Sequence, residues 1–341
     1  MPDLAKPVLA VTLGDASGTG PELITKAFCE PSVRSLCRPV VVGDASTLRA
    51  AVAITGVGSI VRVITNLRDT ADDAAAIDVF DLNNVDVAHL VRGGISAAAG
   101  RAAYESIHQA VALTRAGDAE AIVTSAINKA ALHQAGFHYD GHTELLAELC
   151  GNPPVTMMLV ADKLRVCHVS THVSLHEAIS RVRAERIIEV VQLAREGLRN
   201  LGIAEPRIAV AGLNPHAGEG GLFGEEEIKV IAPAIAEARR RGAHVSGPYA
   251  GDTVFFRTLQ GEFDCAIAMY HDQGHVAAKM LGIWQGVNVT LGLPIIRTSV
   301  EHGTDFQNAG KGTGDPRSLV QALKLAATMA LTRRTIAGRT S

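Results

Sequence analysis

Three short segments of this chain place polar side chains directly after apolar runs. Asn214-Pro215-His216-Ala217-Gly218-Glu219 follows the run 207–211, Tyr270-His271-Asp272-Gln273-Gly274 follows 265–269, and Ser170-Thr171-His172-Val173 follows 165–169. In open α/β sheets ligands bind beyond the carboxyl ends of strands, so His172, His216 and His271 hold equivalent positions on three separate strands. Three imidazoles converging on one point suit a divalent ion such as Zn, Co, Ni or Mn, each binding through one neutral ring nitrogen. The alternative is that each histidine satisfies a hydrogen bond of its own loop. His168, His172 and His176 also repeat at intervals of four, the spacing of a helical ligand face. Residues 166–173 read as β, however, so only His172 of that set is kept.

A second group could hold an anion. His142-Thr143-Glu144 opens an apolar helical pattern after Gly141. Thr143 is placed to cap that helix, and its N-terminus to receive negative charge. Lys279, Asn288 and Arg297 lie in a segment with few other charges. A lone arginine usually belongs to a solvated face, but Leu293-Pro294-Ile295-Ile296-Arg297-Thr298 is apolar around it, which points to a buried or cleft position. Carboxylate or phosphate is its natural partner. Lys279, Asp252 and Asp272 are candidates for proton transfer, and the sequence does not choose among them.

These groups need a frame. The short β-branched runs 8–13, 40–42, 121–124, 165–169, 207–211 and 265–269 read as buried strands. Between them, 96–116, 175–201 and 225–241 carry apolar residues at helical spacing. The alternation predicts an α/β architecture with a largely parallel sheet. The loop 14–22 follows the first strand and opens a helix at Pro21, but it meets neither the G-x-G-x-x-G nor the G-x-x-x-x-G-K-[ST] spacing. It reads as a tight turn or as a phosphate contact. The Ala/Gly-rich stretch 93–100 reads as a linker or as a helix packed closely through small residues, and the tail 333–341 as frayed.

Composition narrows the class. With 32 basic against 35 acidic residues and a net charge of -3, nothing steers the chain to nucleic acid. No apolar stretch reaches the roughly 18–20 residues that span a bilayer, and the segment 8–13 is too short for a signal peptide. Five dispersed cysteines without a C-x-x-C pair read as reduced, mostly buried thiols of a cytoplasmic protein. At 341 residues the chain has room for two α/β domains.

Asp15 within 14–22, Asn128-Lys129, Gly141-His142-Thr143-Glu144 and the two histidine segments 212–219 and 268–274 together resemble the 4-hydroxythreonine-4-phosphate dehydrogenase family. So do 286–297 and Ser299-Val300-Glu301-His302-Gly303-Thr304, in the family's order and spacing, over essentially the whole chain. The resemblance implies a two-domain α/β fold similar to isocitrate and isopropylmalate dehydrogenases, with the active site in the interdomain cleft. The implied domains are 1–135 plus 285–341 on the cofactor side, and 136–284 carrying metal ligands and dimer interface. It implies a homodimer whose divalent ion (Zn, Mg, Mn or Co) is held by His172, His216 and His271, two from one subunit and one from the other. Substrate contacts carry over to His142, Thr143, Lys279, Asn288 and Arg297. NAD contacts carry over to His302, Gly303, Thr304 and Gly310, which accounts for the missing nucleotide fingerprint.

The implied activity is metal-assisted, NAD-dependent oxidation and decarboxylation of a small phosphorylated hydroxy acid, either 4-hydroxythreonine 4-phosphate or a D-threonate or D-erythronate 4-phosphate. His275, where the biosynthetic members usually carry leucine, is similar to the branch acting on four-carbon acid-sugar phosphates. Two other readings remain. A metal-dependent hydrolase of a phosphorylated small molecule would turn over without nicotinamide, and a catalytically silent sugar-phosphate-binding regulator would not turn over at all.

Overall fold

The computed structural model describes residues 5–282 and 286–338. The chain divides into two compact units, one running to Pro153 and resuming at Leu293, the other spanning Pro154–Gly292. The first contains β1 (Val8–Thr12), α1 (Gly20–Cys29), α2 (Pro31–Arg34), β2 (Arg38–Gly43), α3 (Ala45–Thr55), β3 (Ile60–Ile64) and β4 (Ala76–Asp81). It continues with α4 (Ala97–Arg115), β5 (Ala121–Thr124), α5 (Lys129–Gln134) and α6 (His142–Leu149). The second unit begins with β6 (Thr156–Ala161), β7 (Leu164–His168), α7 (Leu175–Arg181), α8 (Ala184–Asn200) and β8 (Ile208–Ala211). It goes on through α9 (Ala232–Arg240), β9 (Val245–Tyr249), α10 (Val254–Leu259), β10 (Cys265–Ala268), α11 (His271–Lys279) and β11 (Val287–Leu291). β12 (Ile296–Val300) and α12 (Arg317–Ala337) return the chain to the first unit.

In the first unit the strands lie in the order β3-β4-β2-β1-β5-β12, and every pair is parallel. Strands covered on both faces read as unbroken apolar runs, which is why all five residues of Val8–Thr12 are buried. Ala10, Val42, Ile107, Ile122 and Ile295 share one core. In the second unit the order is β11-β6-β7-β10-β8-β9. The pairs β11/β6 and β6/β7 are antiparallel, whereas β7/β10, β10/β8 and β8/β9 are parallel. Leu159, Val166, Ala209 and Ala266 build its core.

The mixed α/β fold thus agrees with the alternation of runs, and several details differ from it. The helical pattern 175–201 is two helices, because Val182 (ψ 86) and Arg183 (φ -121, ψ 146) leave helical geometry between them. In 225–241 the first turn, Glu227–Ile231, is π-type, with Pro233 early in α9. The expected boundary at 135/136 falls instead at 153/154, because Leu145 and Leu146 of α6 are buried in the first unit's core. On the other side the unit boundary falls at 292/293, and the expected break at 284/285 lies outside the described residues. The tail is helical to Ala337, and Arg334 donates to both carboxylate oxygens of Glu120 at 2.5 Å. Residues 339–341 lie outside the described residues. No helix among the described residues is long and apolar enough to cross a membrane.

Candidate active site

β7, β10 and β8 are neighbours and parallel, so their carboxyl ends open on one edge of the second unit's sheet. His172, His271 and His216 follow those three ends within a few residues. The rings of His172 and His271 lie 5.6 Å apart between centroids and line one cavity of about 430 Å³ with Ser174, Tyr270 and Asp272. His271 Nδ1 lies 2.6 Å from Asp272 Oδ1, a contact that lowers the Asp272 pKa. A carboxylate there fixes the imidazole tautomer and leaves Nε2 to ligate. This pair fits a divalent ion.

His216 lies elsewhere in the unit, in a cavity of about 800 Å³ with Asn214, Asp252, Phe256 and Val276. Tyr270 and Asp272 line both cavities. Within one copy, among the described residues, no three His, Cys, Asp or Glu side chains are grouped to hold a metal. His216 is therefore not brought to the other two. Its loop is strained: His216 (φ 52), Ala217 (φ 54) and Glu219 (φ 43) are left-handed, at about 1–2 kcal/mol per non-glycine residue. Glu227 restrains it, its Oε1 accepting from Leu213 N at 2.7 Å and Asn214 N at 2.8 Å. Burial pushes that carboxyl up, but hydrogen bonds from Asn214 and Leu213 outweigh it and hold it below its ordinary value.

α11 carries His271, His275 and Lys279 four residues apart, hence on one face. His275, 8% exposed, stacks on His271 with centroids 3.6 Å apart, and buried His168 lies 4.8 Å from His275. Burial, then the neighbouring histidines, push His168 down to about 3 and His275 to about 4, so both are neutral at neutral pH. Gly274 makes room for this array, since a Cβ there would meet His168 Nε2 at 2.5 Å. Sequence reading missed the stack, although the four-residue spacing on a helix could have revealed it. Asn288 lies in β11, its Nδ2 3.1 Å from Met157 Sδ and its Oδ1 buried without a hydrogen-bond partner among the described residues. Lys279, Asp252 and Asp272 are all exposed.

In the first unit Arg297 is 2% exposed inside β12 and donates from Nε (3.1 Å) and Nη2 (2.7 Å) to Thr124 Oγ1 on β5. Burial pushes the guanidinium down to about 9, still protonated at neutral pH. Burial, then that cation, hold the His142 imidazole well below its ordinary value, and its ring also hydrogen-bonds the Ser125 backbone. His142 and Arg297 are thus joined through the end of β5. Thr143 does not cap α6: it lies inside the helix, whose N-cap Gly141 offers no side chain. Asp15 packs at the same strand end, donating its N–H to Ala126 O at 3.0 Å. Asp15 Oδ2, Ser17 Oγ, Ser125 Oγ and His142 Nε2 are buried and unpartnered among the described residues. Buried polar atoms are ordinarily satisfied by protein or ordered water, so these four stand out.

His302, Gly303, Thr304 and Gly310 fall in the irregular connection after β12, at the carboxyl edge of the first unit's sheet. Thr304 is buried, Gly303 and Gly310 are exposed, and His302 Nδ1 lies 2.8 Å from Gly303 O. This segment and the loop 14–20 are bonded to each other: Thr19 N donates to Thr304 O at 3.0 Å.

Residues 35–326 match the family described as "Pyridoxal phosphate biosynthetic protein PdxA". A D-threonate 4-phosphate dehydrogenase of Cupriavidus necator is 49% identical over 330 residues, 96% of this chain and 98% of that protein. A 4-hydroxythreonine-4-phosphate dehydrogenase of Beijerinckia indica is 47% identical over 319 residues, 93% of this chain and 94% of that one. The solved structure of the 4-hydroxythreonine-4-phosphate dehydrogenase of Klebsiella pneumoniae superposes with a TM-score of 0.89 at 44% identity, covering 95% of this chain and 100% of that one.

Proposed function

We propose that this chain, which belongs to the PdxA family of pyridoxal phosphate biosynthetic proteins, is an NAD-dependent dehydrogenase that oxidises and decarboxylates a small 4-phosphorylated 3-hydroxy acid. One observation carries the reading beyond family membership: three histidine loops leave one edge of adjacent parallel strands, with His172 and His271 spaced for a shared ion. His216 completes the ligand set from a second copy. Exposed Leu222 (73%), Phe256 (64%), Val276 (60%) and Met280 (81%), all in the second unit, support a homodimer built on that unit. The first unit then serves the cofactor, with NAD on His302, Gly303, Thr304 and Gly310. The free cysteines support a cytoplasmic setting.

A bound divalent ion (Zn, Mg, Mn or Co) supplies Lewis-acid polarisation, lowering the pKa of the substrate hydroxyl and offsetting the charge that develops as CO2 leaves. Asp272 keeps His271 in the ligating tautomer through Nδ1. Arg297, with His142 and Thr143, is assigned to the anionic end of the substrate and its orientation, and Asn288, which offers a side-chain oxygen, is assigned to substrate binding as well. Bound NAD would accept the hydride from that carbon, and the hydroxyl proton would pass to a side chain of this protein. The resulting β-keto acid then breaks its C–CO2 bond and that carbon takes up a proton. Lys279, Asp252 and Asp272 are the groups we assign to these proton transfers. Lys279 shares its helix face with His271 and is the first to test.

The substrates named for the two relatives, together with D-erythronate 4-phosphate, are the three we propose to compare. His275 is buried against His271 and keeps a polar ring behind a ligand, where a leucine would give an apolar wall. On that ground we favour the 2,3-dihydroxy acid 4-phosphate over the 2-amino acid. NADH formation is measured with D-threonate, D-erythronate and 4-hydroxythreonine 4-phosphates, with and without chelator. NADH from at least one acid, lost on chelation and restored by added metal, is the expected result. Phosphate release without nicotinamide would instead make the protein a hydrolase. A tenfold or greater efficiency for 4-hydroxythreonine 4-phosphate, about 1.4 kcal/mol in transition-state binding, would reverse the substrate preference.

A further inference from the structure

Residues 301–316 connect β12 to α12 without a helix or strand, yet one side of α1 holds them at several points. Glu22 is 2% exposed, and its Oε1 accepts from Gly310 N at 2.6 Å while its Oε2 accepts from Gly312 N at 2.8 Å. One turn further, Lys26 Nζ donates to Gly312 O at 2.5 Å and Gly314 O at 2.9 Å. At the start of the helix Thr19 donates from N (3.0 Å) and Oγ1 (3.3 Å) to Thr304 O. The approach is close: a Cβ on Gly18 would meet Thr304 O at 2.6 Å, and one on Gly314 would meet Leu23 Cδ2 at 2.8 Å. Thr19, Glu22 and Lys26 follow helical spacing, so a single face makes every one of these bonds.

We propose that Glu22 and Lys26 are positioning residues for the nicotinamide cofactor, holding the backbone of residues 304–314 in the shape that receives it. The proposal rests on the placement of NAD on His302–Gly310 argued above. An irregular connection of this length would lose conformational freedom on binding, and that loss subtracts from affinity. Part-buried, charge-assisted bonds to its amides and carbonyls remove much of that freedom in the unliganded protein. Glu22 and Lys26 spend their polar atoms on the loop backbone, so they act through the loop.

The test uses Glu22→Gln, Lys26→Met and Lys26→Arg in the full-length protein. In Glu22→Gln one oxygen remains an acceptor, while the new NH2 opposes the second backbone N–H, donor against donor. The KM for NAD should rise about tenfold, while the KM for the acid and kcat stay within about twofold. Hydrogen exchange of a peptide covering 301–316 should quicken in both Glu22→Gln and Lys26→Met. Lys26→Arg, which keeps donors for the two carbonyls, should recover most of the NAD affinity. If Glu22→Gln does not fold, Lys26→Met, altered at a half-buried position, carries the same readouts.

Unchanged exchange in the folded variants overturns the clamp. Faster exchange with an unchanged KM for NAD overturns its role towards the cofactor. Exchange of the wild-type protein with and without NAD separates the two levels. If NAD fails to protect 301–316 in the wild type, the placement of NAD falls and the proposal with it. If NAD protects the segment there but the variants bind NAD normally, the proposal alone falls.

Discussion

Asp15 follows the first strand, 1% exposed, with one carboxylate oxygen bonded to Ser17 N at 2.8 Å and the other buried without a partner among the described residues. Burial pushes its pKa from 3.8 to about 6, against a smaller lowering by the Ser17 N–H. A carboxyl raised in this way stabilises the fold while protonated, below its unfolded pKa, and loses that contribution as pH rises through the folded value. Asp15→Asn keeps the acceptor for Ser17 and removes the ionisation. The stability of the Asn variant relative to wild type should therefore climb by about 2 kcal/mol between about pH 4 and pH 7. Urea midpoints of both proteins across that range measure it, and a difference independent of pH would refute the assigned cause. Other residues show what could be read beforehand. Arg297 was legible as a buried cation because its flanks are apolar, whereas Thr124, the hydroxyl that holds it, carries no local mark of that role. Asp15 was legible as part of a motif, but its desolvation depends on Ser125 and Ala126, more than a hundred positions away in sequence.

Among the elements, each run read as a strand is an interior strand, because burial on both faces writes a continuous apolar run, but β4 and β6 are interior as well and were not read. The edges were not legible. β3 exposes Ile60 (70%) and Val63 (45%), and β9 contains Gly247 and Pro248, residues that belong at the rim of a sheet. The break between α7 and α8 has neither glycine nor proline to announce it. The small-residue stretch 93–100, which runs into α4, admitted two readings, and the packing decides between them. Gly100 lies inside α4, and a Cβ there would run into the Ala131 carbonyl of α5. In an unconstrained helix Gly→Ala gains up to about 1 kcal/mol. Here Gly100→Ala should instead cost about 1–3 kcal/mol, read as a lower urea midpoint with unchanged slope. A stabilised variant would show that α4 and α5 can separate freely and that the stretch is a linker after all.

At the scale of the whole molecule, the question is how many copies make one site. His172 and His271 share a cavity within one chain, whereas His216 lines a different one beside exposed Phe256 and Val276. If His216 serves the ion of a second copy, each dimer has two sites, and each takes two histidines from one chain and one from the other. Alanine at any of the three should abolish hydride transfer and lower bound metal while leaving the fold intact, since His172 and His216 are exposed and His271 half-buried. Mixing then distinguishes the pairings. In a dimer of His216→Ala with His271→Ala, one site carries both lesions and the other carries none. With random exchange, about a quarter of all sites should be whole, by the counting that a two-fold dimer imposes. His216→Ala mixed with His172→Ala should behave the same way. His172→Ala mixed with His271→Ala should stay inactive and metal-poor, because each site of the mixed dimer then lacks one ligand. Subunit exchange is confirmed first with differently tagged chains, and metal content is measured beside NADH formation. Recovery in the third mixture with none in the first would assign the crossing to His172 in place of His216. Three inactive mixtures, with exchange established, would mean that every ligand comes from a single chain and that the two cavities merge when the ion binds.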